Sequence, residues 1–199
     1  DESVQEGIAA LQEAGVAVTM SPFILKDSDG FPWRGRISVD NDGTAAARSE
    51  IDDFVGVDGG FGFRLFILHH ARLAAGSAAR GVPVEAFLIG SEMVGLTRVR
   101  DETGAFPFVE ALAALAAEVR AIVGPSVKIS YAADWTEYGA YAPADGSNDV
   151  LFPLDALWAS PDIDFVGVDW YPPVGDWRDG DQHLDALVGF ESADDPSYL

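Results

Sequence analysis

Val84-Glu85-Ala86-Phe87-Leu88-Ile89-Gly90-Ser91-Glu92-Met93 is the stretch that decides the fold of this chain. From Val84 to Gly90 the run is short, nearly all apolar and ended by glycine, which reads as a strand buried on both faces, as in a parallel sheet. A carboxylate then follows at Glu92, where a charge is costly unless it has a partner or a task.

The flanking segments alternate helix with strand. Phe63 to Ala79 reads as a helix stopped by Gly81, and Phe108 to Val123 as an Ala/Leu helix closed by Gly124-Pro125. Further strands are expected at Val16–Met20, Val127–Ala133 and Ile163–Asp169. Further helices are expected at Val4–Ala14, Asp155–Trp158 and Asp181–Val188. Strands that each follow a helix predict right-handed βαβ units. The predicted fold is α/β, a partial (β/α)8 TIM-type barrel, because a full barrel takes eight strands and about 250 residues. Residues 1–199 then form the interior of one barrel domain, and Lys26 to Asp58 reads as an irregular loop insertion (about 26–60). An open doubly wound sheet is the alternative. Its glycine-rich phosphate turn is missing, since Gly59-Gly60-Phe61-Gly62 follows no strand of the required kind.

Composition narrows the function. The formal charge of -21 repels phosphate backbones and argues against nucleic acid as a partner. Cysteine is absent, which excludes disulfides, thiolate zinc sites and cysteine nucleophiles. No apolar run reaches the roughly 18 residues that a membrane span needs. The acidic start carries neither Met nor a secretory signal, so the chain reads as a piece of something longer. His69 and His70 lie mid-helix without metal-ligand spacing. Asp27-Ser28-Asp29-Gly30 and Asp40-Asn41-Asp42-Gly43 lack the terminal Glu of a calcium loop. No metal site and no cofactor is expected.

Polar and aromatic residues gather just after the strands: Glu92, then Asp134 and Trp135, then Asp169, Trp170 and Tyr171. In a parallel barrel these ends open on the face that carries active sites. Aromatic rings beside carboxylates suit sugars, the ring packing on the apolar sugar face and the carboxylate binding hydroxyls. Glu92 fits a glycosidase acid, a carboxyl held protonated beside the scissile oxygen. A salt bridge to Arg98 or Arg100 would explain it equally well. Asp134 and Asp169 read as loop caps or hydroxyl ligands, Trp135, Trp170 and Tyr171 as sugar platforms or core. Trp33, with Arg34 and Arg36, reads as a rim of the cleft or as a loop held by Arg–carboxylate pairs.

Five ordered motifs carry a resemblance. They are Ser21-Pro22-Phe23, Pro32-Trp33-Arg34-Gly35-Arg36, Leu88-Ile89-Gly90-Ser91-Glu92-Met93, Tyr131 to Tyr138, and Phe165-Val166-Gly167-Val168-Asp169-Trp170-Tyr171-Pro172-Pro173. Together they resemble the barrel-like domain of gene-transfer-agent and phage tail-hub proteins, itself similar to retaining glycosidases. The resemblance implies that the four strands are the third to sixth of the barrel and that Glu92 holds the acid/base position. It places the nucleophile after the seventh strand. Many glycosidases of that kind have Asn where this chain has Ser91. The resemblance further implies a tail particle, made in the bacterial cytoplasm and extracellular when assembled. Polysaccharide or peptidoglycan, other tail proteins and a trimeric parent assembly are the implied partners. Three functions are then open: retaining hydrolysis of cell-envelope glycan, glycan binding without cleavage, and a purely structural role. Residues 1–199 expressed alone are expected not to close into a barrel, because the outer strands would keep unpaired edges.

Overall fold

A computed structural model of the chain describes residues 2–27, 29–171, 178, 180, 182–190, 192 and 197. Pro172 and Pro173, which close the last motif, and Asp181, where the last helix was expected to start, lie outside them. Residues Asp1–Asp169 form one compact unit and Trp170–Leu199 a second.

The first unit is built on four parallel strands: β1 (Thr19–Met20), β2 (Ala86–Ser91), β3 (Lys128–Asp134) and β4 (Gly167–Asp169). Their order in the sheet is their order in the chain. A doubly wound sheet reverses order at a switch point, whereas a barrel adds each strand beside the last. The order β1-β2-β3-β4 is therefore the barrel's, and a partial TIM-type barrel sheet is what the residues form.

The helices are α1 (Glu2–Glu13), α2 (Ala45–Val55), α3 (Phe63–Ala79), α4 (Val94–Thr97), α5 (Pro107–Val123) and α6 (Asp155–Trp158). β2 and β3 are buried almost throughout, as expected of strands covered on both faces. Phe87, Ile89, Ile129 and Tyr131 are fully buried in the core they share with Ile67, Phe108 and Leu112.

Two expectations need correction. The stretch from Lys26 to Asp58 is not irregular throughout, since it holds a 3-10 turn, Arg34–Arg36, and the eleven-residue α2. Thr44 caps α2 by accepting the Ala47 N–H at 3.3 Å, and Gly56 ends it at φ 77°. Ala47, Ile51 and Val55 recur every four residues and are buried, and Phe54 stacks on Phe63 of α3 at 5.8 Å. The fourth strand is also shorter than Ile163–Asp169. Asp164 takes both backbone groups of Ile129, its own N–H donating to the carbonyl at 2.8 Å and its carboxylate accepting the Ile129 N–H at 2.7 Å. A side chain that replaces the ladder delays strand pairing until Gly167.

In the second unit the described helix is α7 (Leu184–Leu187), where His183 Nδ1 accepts the Ala186 N–H at 3.4 Å. Among the described residues no helix is long and apolar enough to cross a membrane.

Candidate functional site

The parallel strands end along one edge, and β2 is irregular there. Leu88 faces Ser130 but Ser91 faces Ala132, so β2 spends three steps where β3 spends two. Such a bulge re-aims the side chains beyond it. Glu92 follows directly, at φ 51°, in the left-handed region. That conformation costs a non-glycine residue roughly 1–2 kcal/mol. It is held by the Glu92 N–H, which donates to Ala132 O at 2.8 Å. Backbone strain on a buried carboxylate at the end of a barrel strand makes Glu92 the candidate around which the site is described.

The segment around the 3-10 turn brings two donors to this carboxylate. The Trp33 indole N–H donates to Glu92 Oε2 at 2.6 Å, and Arg34 Nη2 lies 3.2 Å from the same oxygen. Arg34 Nε–H donates to Ser91 O at 2.9 Å and to Ser91 Oγ at 2.8 Å. Its guanidinium lies over the Phe23 ring at 4.8 Å. Glycine makes this seat. A Cβ on Gly35 would stand 2.5 Å from the Trp33 ring, and one on Gly95 of α4 would stand 2.3 Å from Ile37 O.

Arg34 Nη2 also reaches Asp169 Oδ2 at 3.8 Å. Burial, then the hydrogen bond it shares with Glu92, push the Asp169 carboxyl up to about 6. Asp169 can thus hold a proton at the strand ends up to about pH 6. Arg34 acts in the opposite sense and favours its charged form.

Asp134 stands beside Asp169 in the sheet register. Its Oδ1 accepts the Thr136 N–H at 2.8 Å and the Thr136 hydroxyl, so it caps the turn that follows β3. Glu137 answers it, with Oε2 accepting the Asp134 N–H at 3.0 Å, the reciprocal arrangement of a capping box. Glu137 Oε1 accepts from Thr97 Oγ1 at 2.6 Å and from Tyr131 OH at 3.0 Å. Tyr131 OH in turn accepts the Met93 N–H at 2.7 Å. Burial pushes the Glu137 carboxyl up to about 7, and no cation offsets it. Glu137 thus ties β3 to the residue after Glu92 and to α4. The sequence reading quoted it without assigning it a role. The Asp134-x-x-Glu137 spacing is the signal that could have found it.

A family model described as the GTA TIM-barrel-like domain matches residues 61–199. The chain belongs to that family. No curated protein matches it. The matched part of the GTA TIM-barrel-like domain holds Glu92, Asp134, Glu137 and Asp169, whereas Trp33 and Arg34 precede it. The match covers β2, β3 and β4, whereas β1 precedes it.

Of the residues singled out from sequence, Trp33, Glu92 and Asp169 form one hydrogen-bonded group, with Arg34 added to it. The cation on Glu92 is Arg34, not Arg98 or Arg100. Arg98 donates to Thr136 O at 2.7 Å, and Arg100 pairs with Asp42 and Asp145 at 2.6 and 2.9 Å. Trp135, just beyond β3, is 44% exposed. In the second unit Trp170 and Tyr171 follow β4 in the chain and are 56% and 70% exposed, so none of these three rings is core. Among the described residues no group of three or more His, Asp and Glu is gathered to hold a metal ion.

Proposed function

We propose that this chain carries the acid/base half of a retaining glycosidase site, in a tail component of a gene-transfer-agent particle that acts on cell-envelope polysaccharide or peptidoglycan. One observation carries the proposal: Glu92, strained at the end of a barrel strand, stands in one cluster with Trp33, Arg34 and Asp169, whose carboxyl is raised to about 6. A glycosidase acid must be reprotonated after each turnover, and Asp169 would be the group that returns the proton, not the nucleophile. The nucleophile would come from a strand after β4, and exposed Trp135 would stack on a sugar ring.

The test uses a protein with the complete barrel and purified envelope glycans, with product anomers followed by NMR. Hydrolysis with retention is expected, and Glu92→Gln should lower kcat by about 10²–10⁴-fold. Activity should fall as pH rises through about 6, where Asp169 loses its proton, and Asp169→Asn should move that limb. Hydrolysis indifferent to Glu92→Gln, or no further carboxylate within about 7 Å of Glu92, would rule out the retaining mechanism.

The Arg34 contact supports a second reading, glycan binding without cleavage, since a carboxylate seated by Arg34 at 3.2 Å and by the Trp33 N–H can still accept from sugar hydroxyls. Glycan binding that survives Glu92→Gln, with no product formed, would select it.

A further inference from the structure

Beside the Glu92 group lies a cleft of about 440 Å³, lined by Trp33, Val39, Asp42, Arg98, Thr136 and Tyr141 among others. Its lining comes from the segments that follow β1, β2 and β3, so it opens on the catalytic edge of the sheet. Trp33 belongs to both places. Its ring lines the cleft while its indole N–H binds Glu92. A chain molecule seated in the cleft would therefore run towards Glu92.

The chain has 12 Lys and Arg against 33 Asp and Glu, so a cation here should find a carboxylate easily. Arg34, Arg48, Arg64, Arg100 and Arg120 each do. Arg98 does not, and Arg36, Arg72 and Arg80 share that state: among the described residues no carboxylate lies within ion-pair distance of them. Of these four only Arg98 lines this cleft. Its Nη2 donates to a backbone carbonyl, Thr136 O, at 2.7 Å, and its guanidinium lies over the Tyr141 ring at 4.9 Å. Its Nε has no hydrogen-bond partner among the described residues. The acid in the wall, Asp42, is paired with Arg100, which also holds Asp145 and keeps the Asp42 carboxyl below the usual range. Arg98 is thus a cation without a carboxylate partner in a cleft with two aromatic walls.

We propose that this cleft is a subsite for a sugar that bears a free carboxylate, with Arg98 as its charge partner and Trp33 and Tyr141 as walls for the ring. The inference rests on the glycan reading of the Glu92 site and names the class of sugar beside it. Guanidinium is the group of choice for a carboxylate, because its planar fork matches the two oxygens. Repulsion from the remaining acidic surface acts over longer distances. It is screened within about 8 Å at physiological salt, which leaves the contact pair in control. Uronic acids and the lactyl-ether sugars of denuded peptidoglycan strands share this chemistry.

Isothermal titration at about 0.15 M salt, on a protein with the complete barrel, would compare four probes: a galacturonate tetramer, its carboxyl-reduced counterpart, a denuded peptidoglycan strand, and the same strand with its carboxyls amidated. The acidic member of at least one pair should bind about tenfold or more tighter than its neutral partner. Preference confined to one pair identifies the source. Arg98→Gln should abolish the preference, while Arg98→Lys should keep part of it. The wild-type comparison needs no variant, so misfolding of Arg98→Gln cannot obscure it. Equal affinity within both pairs overturns the inference and leaves the glycan reading standing. Failure of all four probes to bind overturns both.

Discussion

Trp33 and Glu92 meet at 2.6 Å, indole N–H on carboxylate oxygen, although 59 positions of chain separate them. The contact joins the loop after β1 to the mouth of β2 at the buried end of the sheet. A hydrogen bond to a charged group contributes about 1.5–3 kcal/mol, and more is lost when its acceptor is left buried. Trp33→Phe keeps a ring in the seat and removes the donor. It should therefore lower stability by roughly 2 kcal/mol in urea unfolding. An unchanged midpoint would mean that Arg34 alone satisfies Glu92.

Glu137 makes stability depend on pH. Its folded carboxyl titrates near 7 and its unfolded one near the ordinary value of about 4.3, so the folded state binds the proton more tightly. Stability is then full below about pH 4 and declines as pH rises through about 7, by a few kcal/mol. Asp169, raised to about 6, acts in the same direction. Glu137→Gln should flatten the decline between pH 5 and pH 7.5 in a series of urea melts. A variant with the wild-type slope would show that Glu137 is not the group responsible.

The left-handed backbone at Glu92 can be isolated by comparing two substitutions that both lose the carboxylate. Glu92→Gly should be more stable than Glu92→Ala by about 1 kcal/mol, the reverse of the usual order inside secondary structure. Thermal unfolding of the pair measures it. Alanine equal to or better than glycine would show that the position is relaxed.

Gly95 and Gly7 form a matched pair of helical glycines. A Cβ on Gly95 would overlap Ile37 O, whereas one on Gly7 meets nothing within 4 Å. Gly95→Ala should cost about 1–3 kcal/mol as the 3-10 turn is pushed off α4. Gly7→Ala should gain about 0.5–1 kcal/mol through helix propensity. Equal effects in denaturant melts would contradict the tight seat.

The barrel order was legible because its strands are short apolar runs separated by helices with apolar faces and glycine stops, with Pro107–Val123 a clear case. Helix α2 was not, because its buried stripe is one residue wide. Ala47, Ile51 and Val55 are set among Arg48, Glu50, Asp52 and Asp53, so charge hides the period. Glu92 could be singled out from its place after an apolar strand. Its partner could not, because spacing alone favours Arg98 and Arg100, only six and eight residues on, over Arg34 on another loop. Glu137 was concealed because only its bonds to Asp134 and Tyr131 are near in sequence, whereas Thr97, which completes its setting, lies 40 positions away.

The bulge between Leu88 and Ser91 sets a parity rule for this mouth of the barrel. Along a strand each step turns a side chain to the opposite face, and the extra residue inverts that alternation for everything after it. Deleting one of residues 89 and 90 would remove the bulge and leave Ser91 opposite Ala132, on the face it has now. Removing both would leave β2 one step short of β3 and turn Ser91 and Glu92 to the opposite face, away from Trp33 and Arg34. A variant one residue shorter should therefore be more functional than one two residues shorter.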